Sequence, residues 1–182
     1  QQKSKKVLIY FFLLLLFGSI NNKELSKIKF HAIKEIKVLG LGIENNFNLL
    51  QDIKILNLRN ILFIKNKEIN EIIIANSLVE KYEVFKRYPS SLVINLEKTK
   101  FLARINDNGK TFLVGSNGKL STENHYNAKL PFIFGNPSIK KFLEFKKIID
   151  NSEISYDTIK NLYFFPSKRW DLELEDNLVI KL

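Results

Sequence analysis

The chain has 182 residues, 45% of them hydrophobic and 26% charged, enough apolar mass for one medium domain or two small ones and too much for a disordered segment. Cysteine and methionine are both absent, which excludes disulfide frameworks, thiolate metal sites and cysteine nucleophiles and leaves the redox compartment open. The formal charge of +10 rests mostly on lysines scattered among Asn and Ile, with the four arginines, Arg59, Arg87, Arg104 and Arg169, far apart, so the clustered cations and stacked aromatics of a nucleic-acid site are not expected.

The first element is an uncharged apolar run, Val7, Leu8, Ile9, Tyr10, Phe11, Phe12, Leu13, Leu14, Leu15, Leu16, Phe17, Gly18, Ser19 and Ile20, preceded by Lys3, Lys5 and Lys6. This is the layout of a signal peptide or a signal anchor. As a helix the run reaches only ~21 Å against a hydrocarbon core of ~30 Å, which argues for a cleaved signal. Against cleavage, no small-x-small site follows, and snorkelling of Lys5 and Lys6, with Asn21 and Asn22 at the other interface, lengthens the effective span. A buried core helix would show an amphipathic stripe, and this run has none. We therefore read residues 1–22 as a cytoplasmic stub and an uncleaved transmembrane helix, with everything after Asn22 exported, although Lys23, Lys27 and Lys29 weaken the charge asymmetry.

Beyond it the pattern predicts an extended segment over 30–39, broken by Gly40 and Gly42, and then a helix entered through Asn45 or Asn46 that aligns Leu49, Leu50, Ile53 and Leu56. A second helix is predicted from Asn66 to about Asn76, with Ile69, Ile72 and Ile73 on one face. "FKRYPSSLVINLE" then reads as a hairpin turning at Pro89, with Val84 and Tyr88 sharing a face and Leu92, Ile94 and Leu96 alternating on the return strand. The order is β-α-α-β-β. The remainder is mostly strands: Asn108-Gly109 and Asn117-Gly118 each predict a hairpin turn, because such residues accept positive φ. One clear helix interrupts them at "GNPSIKKFLEFKKIID", with Asn136 as cap, Pro137 first, and Ile139, Phe142, Leu143, Ile148 and Ile149 facing inward. Finally "RWDLELEDNLVIKL" alternates twice about Asp176-Asn177, placing Trp170, Leu172, Leu174, Leu178, Ile180 and Leu182 on one face and Arg169, Asp171, Glu173 and Glu175 on the other.

The β-α-α-β-β unit, the phrase "RYPSSLVINLEKTKFLA" and the late "KRWDLELEDNLVIKL", all behind a short N-terminal anchor, together resemble the FtsQ/DivIB family of bacterial cell-division proteins. In that family the first exported unit is a POTRA domain with an arginine-(Tyr)-Pro motif, which looks like Arg87, Tyr88 and Pro89; the following β domain carries a basic-Arg-Trp phrase that matches Lys168, Arg169 and Trp170. The resemblance implies an α+β fold: an N-terminal transmembrane helix, a POTRA domain over 23–98, and over 99–182 a mostly antiparallel β domain with one or two helices. Family members continue into a further helix and an edge strand, whereas this chain stops at Leu182, so trimmed ends are expected. The resemblance also implies function: a non-enzymatic, single-pass scaffold of the inner membrane at the division septum, N-terminus cytoplasmic and C-terminal domains periplasmic. Such a scaffold binds FtsB and FtsL, touches lipid through its helix, needs no cofactor, and helps control septal peptidoglycan synthesis.

Three residues are the candidates for partner contact: Arg169, Arg87 and Tyr88. Arg169 sits opposite Leu172 in the alternation, so it either reaches an acidic partner or pairs with a local acid. Trp170 shares the parity of Leu172 and Leu174 and reads as core. Tyr88, before a proline, shapes its turn at least as readily as it presents a surface. Asp171, Glu173 and Glu175 suggest an anchored glycan hydrolase, against which stands the solubilising role of carboxylates on an exposed strand. A POTRA-type assembly module for outer-membrane proteins would need tandem copies, and only one copy is present. His31 and His125 stand alone, without ligand spacing for zinc.

Overall fold

The computed structural model describes residues 2–20, 33–56, 61, 64, 66–122 and 129–182. The lysine-headed run forms helix α1 (Gln2–Ile20), and its residues 7–17 are all exposed, outside both hydrophobic cores. No helix among the described residues is long and apolar enough to cross a membrane. The lysines at its start leave α1 only an uncharged 7–20, ~21 Å of the ~30 Å that a span requires, so the helix does not by itself support the expected transmembrane segment.

The class is mixed α+β. Strand β1 (Glu35–Leu39), helices α2 (Ile43–Ile55) and α3 (Asn66–Ala75), and strands β2 (Val79–Arg87) and β3 (Ser91–Lys98) follow the predicted β-α-α-β-β order. They make a three-stranded sheet, β1-β3-β2, in which β1 runs parallel and β2 antiparallel to β3. Of the extended segment expected over 30–39, only Glu35–Leu39 is strand, and 30–32 lie outside the described residues. Helix α2 starts earlier than the Asn45 or Asn46 entry predicted. Gly42 is its cap, and the Asn46 carboxamide oxygen reaches back to accept from the Leu41 amide at 2.9 Å, so the asparagine ties the turn without capping it. Gly40 carries φ +119°, and a Cβ there would lie 1.8 Å from the Leu96 carbonyl oxygen, which explains the glycine between β1 and α2.

One face of this sheet is covered by α2 and α3, where Leu49, Ile53, Ile69 and Ile73 pack with Val38, Leu92, Ile94 and Leu96 in one core. Hydrophobic helical periodicity on one side and strand alternation on the other produce that match. Tyr88 does not share the inward face of Val84: it lies in the loop after β2, 62% exposed, and Tyr82 takes the inward position two residues before Val84.

The second sheet has seven strands: β4 (Phe101–Asp107), β5 (Lys110–Gly115), β6 (Leu120–Ser121), β7 (Phe132–Phe134), β8 (Ile159–Phe164), β9 (Trp170–Leu174) and β10 (Val179–Lys181), in the order β10-β9-β8-β7-β4-β5-β6. Its pairings are mostly antiparallel, as expected, with β7 the exception: it pairs in parallel with both β4 and β8. Parallel neighbours need a crossover, and helix α4 (Ile139–Asp150) supplies the one between β7 and β8. Both Asn-Gly turns occur. Asn108 and Gly109 take φ 51° and 80°, the twisted two-residue turn, whereas at the second site only Gly118 is positive, φ 77°.

The cap of α4 is Ser138, whose hydroxyl accepts from the Lys141 amide, and not Asn136; Pro137 precedes the cap. Its buried stripe is Phe142, Phe145 and Ile149. Ile148 is 64% exposed, since one residue from Ile149 turns it about 100° off that stripe. Phe145, missed by the sequence reading, stacks on Trp170 with ring centroids 4.4 Å apart.

Candidate functional site

The β9–β10 hairpin forms one end of the second sheet. Leu174 donates to the Leu178 carbonyl at 2.9 Å and Leu182 to the Trp170 carbonyl at 3.1 Å, which makes the even-numbered residues of this strand the hydrogen-bonded partners of β9. The N–H and C=O of Val179 and Lys181 therefore point away from β9, and among the described strands none pairs with that side. Leu178, Val179 and Leu182 are 55%, 49% and 54% exposed, so the edge is apolar, with Lys181 its one charged side chain.

Next to it lies the face of β8 and β9 opposite α4. Arg169 does not stand free toward solvent. Its Nη2 donates to Asp171 Oδ2 at 3.1 Å, its Nε lies 3.0 Å from Asp171 Oδ1, and its guanidinium carbon sits 4.7 Å from the Phe165 ring centroid. The Oδ1 contact falls short of hydrogen-bond geometry and leaves that oxygen without a hydrogen bond; at 3.0 Å it is a charge contact all the same. Asp171 itself is only 5% exposed, which corrects the reading of a solvated carboxylate at 171, whereas Glu175 is exposed as expected. Glu173 is enclosed as well: its Oε2 accepts from Asn161 at 2.9 Å and from the Tyr163 hydroxyl at 2.6 Å, with Lys160 Nζ 3.4 Å from Oε1.

The hydrogen bond from Asn161 first, then that from Tyr163, holds the Glu173 carboxyl below the usual carboxylate range; the same bond to Glu173 is the main cause that pushes Tyr163 up. Glu173 thus joins β9 to β8 through Asn161 and Tyr163, whereas Asp171 pairs with Arg169 two residues before it in its own chain segment. Trp170 lies in the core as its parity indicates. Arg87 and Tyr88 are exposed at the β2–β3 loop, on the other sheet from Arg169. Among the described residues no cluster of three His, Asp or Glu side chains could hold a metal; His31 and His125 lie outside those residues.

The sequence reading missed the aromatic row beside this network. Phe134 stacks on Tyr163 at 5.0 Å and meets Phe132 at 4.8 Å, and Arg104 lies 5.9 Å from the Phe132 centroid. The alternation in "PFIFG" was its signal, but the row exists only because β7 pairs with β8 across the α4 crossover.

No family model matches the chain, and no curated protein does. Among solved structures it is similar to the major extracytoplasmic domain of the trans isomer of the bacterial cell division protein DivIB from Geobacillus stearothermophilus, at 14% identity and a TM-score of 0.37, over 47% of this chain and 79% of that one. The likeness is a weak one, at the level of fold.

Proposed function

We propose that the chain is a non-catalytic docking protein of the bacterial division apparatus, which captures the membrane partners FtsB and FtsL on its exported sheets. The motifs around Arg87-Tyr88-Pro89 and Lys168-Arg169-Trp170 support the assignment to division. The observation that carries docking is the β10 edge, where two residues aim their backbone groups outward beneath half-exposed Leu178, Val179 and Leu182. A partner strand added there gains main-chain hydrogen bonds for affinity and apolar contacts for selectivity. Helix α1 is, in this proposal, the lipid-embedded element of the inner membrane: its short apolar stretch is accommodated by snorkelling lysines or local thinning of the bilayer.

The test is Val179→Pro, which deletes an outward N–H and spares the bonds to β9. One lost hydrogen bond plus the obstruction predicts roughly tenfold weaker capture of an FtsB/FtsL pair in membrane-extracted pull-downs. Unaltered capture would remove the β10 edge as the docking element.

A further inference from the structure

The chain passes from the first sheet to the second through Thr99 and Lys100 alone, the place where two units would ordinarily bend. Instead, polar groups from both sheets close on one another there. The Glu80 Oε2 accepts from the Thr99 and Ser116 hydroxyls, each at 2.8 Å. Each hydroxyl in turn accepts a backbone amide: Thr99 from Asn117 at 3.2 Å, and Ser116 from Lys100 at 3.1 Å. The Asn117 carboxamide nitrogen donates to the Ser77 and Val79 carbonyls, both at 2.9 Å, while its oxygen accepts from the Lys119 amide at 3.0 Å. Lys119 Nζ donates to the carbonyls of Asn76, at 3.2 Å, and Ile74, so a cation of the second sheet caps the C-terminal end of α3 in the first.

The fit leaves no slack. A Cβ on Gly115 would lie 2.5 Å from Asn117 Oδ1 and 2.9 Å from Thr99 Oγ1, and Leu78, Val79 and Thr99 are buried under the cluster. Phe101, the first residue of β4, packs against the core of the first sheet. A bending motion would have to break these bonds together, taking the Ser116 hydroxyl from Glu80 and the Asn117 and Lys119 donors from four carbonyls of the first sheet, those of Ser77, Val79, Asn76 and Ile74.

We infer that Glu80, Thr99, Ser116, Asn117 and Lys119 form a lock that makes the two sheets one rigid, cooperatively unfolding arm, with Asn117 as its central bolt. The lock holds whichever partner binds either sheet.

The test uses the full chain in detergent, in which cysteines introduced at exposed Glu83 and Lys140 are the only thiols and carry spin labels. Pulsed electron–electron distance measurement is expected to return one narrow distribution. Asn117→Leu, which keeps the bulk and deletes both donors, is expected to at least double its width, and the milder Ser116→Ala to give an intermediate broadening. In urea, Trp170 fluorescence and a fluorine probe at Glu83→Cys should unfold together in the parent and separate in Asn117→Leu. A broad distribution or split transitions in the parent would overturn the lock, as would an Asn117→Leu protein with parent-like width. If Asn117→Leu fails to fold, Ser116→Ala decides alone: unchanged width refutes the lock.

Discussion

Replacing Arg169 by leucine removes the counter-ion of a carboxylate that the sheet has already buried. Asp171 is 5% exposed, and its contacts at 3.0 and 3.1 Å are both to Arg169. A fully buried pair that loses one member costs about 3–5 kcal/mol, and an exposed pair about 0–1. The arginine side chain is 46% exposed and the aspartate 7%, so water screens one partner and scarcely reaches the other, which puts the loss near 2 kcal/mol. Losing the cation over Phe165 adds about 0.5 kcal/mol. Urea unfolding followed by Trp170 fluorescence should therefore show about 2–3 kcal/mol lost, or roughly 5–10 °C in Tm. The companion Asp171→Asn removes the charge that needs compensation, so in the double variant most of the arginine effect should vanish, with a coupling of at least ~1 kcal/mol. A loss below ~0.5 kcal/mol for Arg169→Leu, or additive effects in the cycle, would refute the assignment of Arg169 to sheet cohesion and return it to partner contact. The pair also changes how binding data on Arg169 variants must be read, because a charge reversal at 169 sets two negative groups side by side and disturbs β9 together with any docking.

Two further outcomes are expected. Gly40→Ala should destabilise by more than the ~1–3 kcal/mol of positive-φ strain, since its Cβ would meet the Leu96 carbonyl oxygen at 1.8 Å; chemical denaturation with an unchanged midpoint would contradict the geometry. The Glu173 carboxyl is held low in the folded chain, so its contribution is present above the unfolded carboxylate pKa of about 4.3 and is lost as pH falls through the lower folded value. Tyr163→Phe deletes one donor and should move the Glu173 titration, followed by carbon NMR of its carboxyl, toward the ordinary range; coincident curves would show that the tyrosine bond is not a cause.

Much of this fold is legible in local pattern. The all-round apolar character of 7–20 specifies a helix, whose residues 7–17 lie exposed outside both cores, the Ile69–Ile73 spacing specifies α3, and Asn108-Gly109 specifies a hairpin, because each signal is read within a few residues. Trp170 is placed in the core by parity alone. Helix boundaries were harder: a cap is decided by which residue first leaves the helix, and Gly42 and Ser138 did so where nearby asparagines offered equal chemistry.

What alternation could not determine is the environment of a strand's second face. It set Asp171 and Glu173 opposite Leu172, and water was the default occupant there. Only the pairing of β8 with β9 brought Asn161 and Tyr163 onto Glu173 and, with Arg169 folded back, enclosed Asp171. The lock between the sheets was invisible for the same reason, since Glu80, Ser116 and Asn117 carry no local pattern and lie as much as 37 residues apart in sequence. Periodicity reports which face of an element is apolar; what covers the polar face is a long-range fact, and tertiary pairing alone decides it.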